Sequence, residues 1–421
     1  MKITVLSLIF STILGCANLL GPTAKQERQT HNQDKLILVN FHSEETVNVW
    51  QTAQGYSYIN EDWERPNHLN ASIRRIQRDY LLTEVDEWPI ESLGLYCVVY
   101  EVNANESVDA VLEKINSDPR IAFAEPLVDF QLMQSATVGQ SSPERTQLDD
   151  PLLNVQYPQA YALLEDLHHL GTGNNVKVGI IDSGVDTSHP DLAGRIHATE
   201  SLINSSISSS LEHGTAVAGI IGANAGNEEG IAGLVPDASL YSYEACGALN
   251  GATYCDSFTL AKALEHSLQD GVQVLNLSLA GRETPLLRSL IEKLLASGTI
   301  LIAAENSEPN YNFPADVNGV IAVGTDMANE FWFANQEQLS TQAGGGYRFF
   351  YGTSMSAAGI SGFSAILMSI YQPDQVVTIL KSLSVSDCDQ ALSQITFDTY
   401  QIMNQLCHRD TKVSQTGSFK F

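Results

Sequence analysis

The sequence predicts an α/β fold, in which a doubly wound parallel sheet follows a smaller α+β unit. A chain of 421 residues is long enough for two or three folded units. Between residues 149 and 385, buried strand patterns alternate with helix patterns, as parallel strands joined by crossover helices require. Residues 36–133 alternate in a βαββαβ-like order, which predicts the α+β unit.

The smaller unit is followed by a segment of linker composition. Its strand-like runs are 36–39, 93–102 and 121–132, and its helix-like runs are 72–80 and 107–116. The second helix places apolar residues on one face, namely Val108, Val111, Leu112 and Ile115. Residues 134–148, rich in Ser, Gln, Gly and Pro, predict a linker.

The larger unit begins with a buried strand, 176–181, which leads into Asp182 and a Ser-Gly turn. Small residues after His213 predict a tightly packed helix, and Asp256 is expected to cap the helix that ends at Gly271. The remaining strands are expected at 272–279 and 299–304, and the remaining helices at 285–297 and 355–371.

Four polar residues of this unit match the needs of a serine nucleophile. Ser354 needs a base, and His213 has the side chain that most often serves. The imidazole needs a carboxylate to orient it, which Asp182 offers at the end of a strand. The oxyanion needs donors, and Asn306 follows another buried strand. Taken alone, each residue also has an ordinary structural role, in a turn, at the surface or as a helix cap.

Several short motifs occur in one order along residues 149–385. They are Gly179-Ile180-Ile181-Asp182-Ser183-Gly184-Val185-Asp186 with His189-Pro190-Asp191-Leu192, His213-Gly214-Thr215-Ala216-Val217-Ala218-Gly219, Leu275-Asn276-Leu277-Ser278-Leu279-Ala280-Gly281, Phe313-Pro314-Ala315 with Val320-Ile321-Ala322-Val323-Gly324, and Gly352-Thr353-Ser354-Met355-Ser356-Ala357-Ala358. Together they resemble the subtilisin-like serine proteases, or subtilases. The resemblance implies a subtilisin-like catalytic domain over 149–385 and a tail over 386–421.

The resemblance also implies roles for individual residues. Asp182 would orient, His213 would act as general base and then acid, Ser354 would attack, and Asn306 with the Ser354 N–H would hold the oxyanion. A strand would pair with the substrate backbone, formed by Ser278, Leu279, Ala280 and Gly281. The unit 36–133 resembles the subtilase prodomain, a folding chaperone and inhibitor, so self-cleavage is expected within the linker 134–148.

Three positions depart from the family pattern. Ala216 replaces a frequent histidine, and Ser356-Ala357-Ala358 replaces a run that usually ends in proline, Ala-Ala-Pro or Ala-Ser-Pro; both changes concern helix packing. Glu305 stands where glycine usually precedes the oxyanion asparagine. A carboxylate there raises the barrier unless it is paired or points away. Two hypotheses remain open: Glu305 faces the primary specificity pocket and favours a basic or polar side chain, or it faces solvent without a role.

The N-terminus predicts export and a lipid anchor. Residues 1–15 form a short apolar targeting segment that ends in Leu14-Gly15 before Cys16. This resembles a bacterial lipobox, so Cys16 would be lipidated and residues 16–35 would form a polar tether. Ala17, rather than aspartate, suggests the outer membrane or cell surface. The alternative is an ordinary signal peptide with a chance cysteine.

The composition argues against nucleic acid as a partner. Asp and Glu number 49 against 22 Lys and Arg, and a net charge of −27 repels phosphates. In an oxidising compartment, proximity favours the disulfides Cys246–Cys255 and Cys388–Cys407, with Cys97 as a small buried residue. By the family resemblance, Asp191 and Asn227 are candidate ligands of structural calcium, although no cofactor is required for the chemistry.

The sequence therefore predicts a serine endopeptidase that cuts extracytoplasmic proteins or peptides, processes itself, and is inhibited by its own prodomain. The alternative is a catalytically impaired subtilase homologue that serves as a surface-anchored peptide-binding or adhesion module. A working triad distinguishes the two, because only the endopeptidase reacts covalently at Ser354.

Overall fold

A computed structural model describes residues 33–43, 65, 67–133, 135–136, 150–156, 161–203, 207–249, 252–308, 310–324 and 337–383. The expected targeting segment, Cys16, most of the tether, nearly all of the linker, and the Cys388–Cys407 pair lie outside these ranges. Within them, no helix combines the length and apolar character that a membrane crossing needs.

The smaller unit has the predicted βαββαβ-like order, although no strand-like run had marked its second strand, at Thr83–Ile90. Its elements are β1 (Leu36–His42), α1 (Asn67–Asp79), β2 (Thr83–Ile90), β3 (Leu95–Glu101), α2 (Val108–Ile115) and β4 (Phe123–Pro126). The four strands form an antiparallel sheet in the order β2-β3-β1-β4. The helices are amphipathic, and their buried residues Ile73, Ile76, Val111 and Ile115 pack on one face of the sheet.

The other face of this sheet belongs to a core shared with the larger unit. Leu38 and Cys97 cluster there with Phe258 and Leu290 of the larger unit. Because strand residues alternate between faces, β1 contributes to both cores. The small sheet is therefore held against the larger unit by apolar packing.

The larger unit is built on six parallel strands, in the order β15-β14-β12-β7-β9-β8. These strands are β7 (Lys177–Asp182), β8 (Ile196–Ser201), β9 (Ser239–Glu244), β12 (Val274–Leu277), β14 (Ile300–Ala304) and β15 (Ile321–Val323). The central strands are buried on both faces, which explains their continuous apolar runs.

Helices cover both faces of this sheet, as a doubly wound fold requires. One core contains α5 (Glu212–Gly222), α8 (Thr353–Met368), α4 (Tyr161–Leu170) and α9 (Pro373–Leu383). The opposite core contains α6 (Ser257–Gln269) and α7 (Pro285–Ala296). Asp256 caps α6 as predicted, since its side chain accepts the N–H groups of Phe258 and Thr259.

A second antiparallel sheet lies beside the parallel one, in the order β10-β11-β5-β13. Its strands are β5 (Asp129–Leu132), β10 (Cys246–Leu249), β11 (Ala252–Asp256) and β13 (Leu279–Gly281). Two predicted single strands are thus each divided between sheets: 121–132 becomes β4 and β5, and 272–279 becomes β12 and the start of β13. The remaining elements are β6 (Ser135–Ala136), α3 (Leu153–Gln156), β16 (Gln338–Gln342) and β17 (Gly346–Tyr351).

Candidate active site

Asp182 and His213 meet at the carboxyl edge of the parallel sheet. Asp182 is the last residue of β7, and His213 is the second residue of α5. The Nδ1 atom of His213 lies 2.7 and 2.8 Å from the two carboxylate oxygens of Asp182. Both residues are buried. The carboxylate therefore fixes the tautomer in which Nε2 is free to accept a proton.

A close backbone approach places the histidine. A Cβ atom on Gly214 would lie 2.3 Å from the carbonyl oxygen of Ser183, so only glycine allows α5 to begin this near the end of β7. The N–H of Gly214 donates to the Ser183 hydroxyl over 2.9 Å. The turn after Asp182 and the start of the helix are thus one connected structure.

Ser354 lies at the start of α8 and contacts the chain's own backbone. Its Oγ is 2.7 Å from the carbonyl oxygen of Met133 and 3.1 Å from that of Ser278. The backbone N–H of Ser354 also donates to the Met133 carbonyl, over 3.3 Å. Met133 therefore presents its carbonyl group to both the hydroxyl and the N–H of the predicted nucleophile.

The bond between Ser354 and His213 is absent from the hydrogen bonds of the described residues. The Nε2 atom of His213 is buried and has no partner in that part of the chain. The competing acceptors explain this: the Met133 and Ser278 carbonyls hold the Ser354 hydroxyl. The structure brings Asp182 and His213 into contact. The Ser354 hydroxyl is turned toward the backbone carbonyls of Met133 and Ser278.

Asn306 follows β14, as predicted. Its side-chain oxygen accepts the N–H of Glu308 over 3.0 Å, which leaves the amide nitrogen as the donor end. Thr353 Oγ1 donates to the carbonyl oxygen of Glu305 over 3.1 Å. The segment that carries Asn306 is thereby tied to the residue just before Ser354.

Glu305 is half-buried and folds over Gly324. A Cβ atom on Gly324 would lie 1.7 Å from the Glu305 carboxylate, so the glycine makes room for this side chain. The backbone N–H of Glu305 donates to the Val323 carbonyl over 3.0 Å. Glu305 therefore lies at the carboxyl ends of β14 and β15, against Gly324, and a role in specificity stays a hypothesis.

The predicted peptide-binding strand is paired with β5. Leu279 pairs with Leu132, Ala280 with Gln131 and Gly281 with Phe130, all antiparallel. On its other side, β5 pairs with β11, where Cys255 faces Phe130 and Asp256 faces Asp129. The sequence predicts a strand at 121–132, but not that the end of this strand lies between β11 and β13 as β5. We call the space between β11 and β13 the groove. The position of residues 129–132 just before the linker was the available signal.

The side chain of Phe130 occupies a closed pocket. Its ring packs edge-on against Phe313, with 6.3 Å between the ring centres, and the residue is almost fully buried. A Cβ atom on Gly281 would lie 2.4 Å from the Phe130 ring. Gly281 therefore leaves space for a large side chain at position 130, which is the fourth residue when one counts backwards with Met133 as the first.

Polar contacts add to the apolar packing between the two units. The N–H of Ser92 donates to Glu265 on α6 over 3.0 Å. Glu125 accepts the N–H of Leu286, in the first turn of α7, over 3.2 Å. Burial raises the pKa of the Glu125 carboxyl to about 7, against the lowering effect of its hydrogen bonds. The Lys262 ammonium lies 5.1 Å from the ring centre of Trp88.

The two candidate calcium ligands form a hydrogen-bonded loop. Asn227 donates its amide N–H to Asp191 over 3.0 Å, and the N–H of Ile231 donates to the other Asp191 oxygen over 2.9 Å. The amide oxygen of Asn227 accepts the N–H of Glu229. Calcium takes six to eight oxygen ligands, whereas both Asp191 oxygens here accept from N–H groups. Across the described ranges, no cluster of three His, Cys, Asp or Glu residues suits a metal. These hydrogen bonds hold the shape of the loop, and calcium at this loop stays a prediction.

The predicted disulfide Cys246–Cys255 is present, and it joins directly opposed residues of β10 and β11. Cys97 is a buried free thiol. Burial raises the pKa of this thiol. It behaves as the small buried residue that the sequence indicated.

The chain is similar in sequence to known proteins. A family model described as the subtilase family matches residues 173–400, more than half of the chain. Subtilisin E of Bacillus subtilis (strain 168) is 29% identical over 285 residues, which is 62% of this chain and 68% of that protein. The major intracellular serine protease of the same strain is 32% identical over 224 residues, or 47% of this chain and 69% of that protein.

Among solved structures, fervidolysin from Fervidobacterium pennivorans, described as a keratinolytic enzyme related to subtilisin, is similar with a TM-score of 0.60 and 20% identity. The match covers 84% of this chain and 58% of that one, so this chain spans less than two thirds of fervidolysin. At that identity, the likeness concerns the fold.

Proposed function

The chain belongs to the subtilase family of serine endopeptidases, and from this premise we propose that it hydrolyses extracytoplasmic proteins through an acyl-enzyme. The observation that carries the proposal is the carbonyl of Met133, which lies 2.7 Å from Ser354 Oγ and faces the N–H of the same residue. The oxygen of a scissile carbonyl would accept a hydrogen bond from the same N–H, so this contact supports the proposal.

The chemical steps follow from the four polar residues. The Ser354 hydroxyl turns to His213 Nε2, loses its proton to that nitrogen, and attacks the carbonyl carbon. The negative charge that develops on the oxygen is stabilised by the Ser354 N–H and the Asn306 amide. His213 then protonates the leaving amine, the C–N bond breaks, and water hydrolyses the ester by the same route. Asp182 stabilises the imidazolium throughout.

The first substrate that we propose is the chain itself, cut between Met133 and Gln134. The segment 129–132 enters the groove as a strand between β11 and β13, which is how an extended peptide gains main-chain hydrogen bonds. After cleavage, residues 33–133 would stay bound, because their apolar face and their contacts to α6 and α7 do not depend on the cut bond. The cleaved unit would therefore inhibit the enzyme that released it.

Mass spectrometry tests both proposals. The full chain and its Ser354→Ala variant are purified in parallel and incubated with casein. We expect the wild type to yield a fragment that begins at Gln134 and, once the cleaved unit has been removed, to cut casein, while the variant does neither. A fluorophosphonate probe should label Ser354 of the processed wild type after the same removal. Failure to label would contradict catalysis and favour the peptide-binding module. Processing at another bond would contradict the assignment of Met133 alone.

Export and lipid anchoring complete the proposal, and they are supported by the sequence run before Cys16. Cys16→Ala should move the protein from the membrane fraction to the soluble fraction and should remove the mass of the acyl chains. An unchanged distribution would contradict the anchor.

A further inference from the structure

The disulfide Cys246–Cys255 lies in the strand pair that forms one wall of the groove. It joins residues that face each other across β10 and β11, nine positions apart in sequence. Both cysteines are fully buried. β11 is also the strand that pairs with Phe130 and Asp129, on the side of the segment away from β13. The disulfide is therefore one strand away from the bound segment.

The two walls of the groove hold different parts of the segment. β13 pairs with residues 130–132, next to the reacting carbonyl of Met133. β11 pairs only with residues 129 and 130, which are further from it. A peptide that reaches three residues back from the cut bond meets β13 alone, whereas a peptide that reaches five residues back meets both walls.

β11 loses one neighbour when the groove is empty. Among strands, β11 is then paired only with β10, through four residue pairs, while its last residue, Asp256, caps α6. A two-stranded ribbon of this length is marginally stable by itself. β10 has a second backbone partner, since Ser208 and Ala248 exchange hydrogen bonds of 2.9 and 2.7 Å. The disulfide transmits this anchorage from β10 to β11.

We infer that the Cys246–Cys255 disulfide is a positioning element that holds β11 ready to pair with the fourth and fifth residues of a substrate. The inference rests on the proposed endopeptidase function. When β11 is already ordered, the enzyme binds a long substrate more tightly, because the free energy of binding no longer includes the cost of ordering this strand. Its effect depends on substrate length, which a purely structural disulfide would not produce.

Two peptides of different length test this. Both are acetylated and carry p-nitroanilide after methionine: a short one, Gln-Leu-Met, and a long one, Asp-Phe-Gln-Leu-Met. The enzyme is made from the full chain, and its working sites are titrated with a fluorophosphonate. In the Cys246→Ser/Cys255→Ser double variant, we expect the ratio of kcat/KM for the long over the short peptide to fall about tenfold, mainly through KM.

The matched control is Cys388→Ser/Cys407→Ser, which removes the other predicted disulfide, keeps Cys246 and Cys255, and should keep the wild-type ratio. Should the first variant fold poorly, a Cys246→Ala/Cys255→Ala pair or wild type reduced with dithiothreitol gives the same measurement. Reduction adds two electrons and two protons to the disulfide and oxidises dithiothreitol. A ratio that falls less than about threefold overturns the inference. Wild type that cuts neither peptide would instead refute the proposed function.

Discussion

The contact between Asp182 and His213 determines how readily the nucleophile can be activated. Asp182→Asn keeps the shape but presents an amide to Nδ1, so the imidazole adopts the wrong tautomer. We expect processing of the full chain to slow by about 10³ to 10⁴. The half-time is read from gels, with the exposed Asp237→Asn as control. A loss under about tenfold would show that this pair is not part of the mechanism.

Gly281 should determine which side chains the fourth position accepts. An alanine Cβ would lie 2.4 Å from the Phe130 ring, so Gly281→Ala closes the pocket to large residues. The kcat/KM for the long peptide should fall about tenfold or more. The same peptide with alanine in place of phenylalanine should lose much less. Equal losses for both peptides would contradict a role of Gly281 in pocket size.

Glu125 should make the stability of the chain depend on pH. Burial raises its pKa to about 7 from an ordinary value of 4.5, so the native state favours the protonated form. Its contribution to stability is complete below about pH 4.5 and is lost as pH rises through about 7, by at most about 3 kcal/mol.

Urea unfolding of Ser354→Ala chains, with and without Glu125→Gln, measures this effect. The substitution should increase the free energy of unfolding more at pH 8 than at pH 5, by about 1–3 kcal/mol. The amide oxygen that Glu125→Gln introduces can still accept the N–H of Leu286, so the helix contact is kept in the comparison. A difference that does not change with pH would refute this account.

At the scale of elements, β1 contains a buried polar group in an otherwise apolar strand. Asn40 is fully buried opposite Cys97 and Phe123, and neither side-chain polar atom has a partner within the described residues. Asn40→Val in a Ser354→Ala chain should raise the free energy of unfolding by about 1–2 kcal/mol.

Asn116 provides the matched control for that prediction. Its amide donates to the Ala124 carbonyl and its oxygen accepts the Ala124 N–H, at 2.9 and 2.7 Å. Asn116→Val should therefore lower the stability by about the same amount. Thermal or urea unfolding compares the two variants, and a loss of stability in Asn40→Val would contradict the argument.

The elements best predicted from sequence are those with a strong local pattern. β7 and β14 are continuous apolar runs, and the cap at Asp256 is a local signal, so all three lie where expected. β2 was missed because its polar sequence, with Pro89 near its end, has a weak strand pattern. The break between β12 and β13 at Ser278 depends on strand pairing between distant residues, which local patterns do not encode.

At the scale of the whole molecule, stability should not require calcium. Asp191 is held by N–H donors from Asn227 and Ile231, and protein hydrogen bonds stabilise this loop. A chelator should shift the unfolding midpoint by less than about 1 °C, whereas Asp191→Asn should lower stability by about 1–3 kcal/mol. A large drop on chelation that added calcium reverses would contradict this prediction.

The order of strands and helices, and the meeting of Asp182 with His213, could be predicted because parallel strands end at one edge of a sheet. The contact between Met133 and Ser354 could not be predicted. It joins residues more than two hundred positions apart, through a surface that both units form only once folded. The residue types at Asp191 and Asn227 also did not reveal that the Asp191 carboxylate accepts hydrogen bonds from Asn227 and Ile231.

The position of Met133 beside Ser354 has a kinetic consequence. In the proposed self-cleavage, bond and nucleophile belong to one polymer, so no diffusional encounter would precede the first cut and the chain itself would supply a fixed local concentration. Self-processing should be first order, with a half-time that a hundredfold dilution leaves unchanged. Digestion of any other protein slows in proportion to the same dilution. Under this proposal, each newly made molecule would complete its own maturation even when it is the sole copy present.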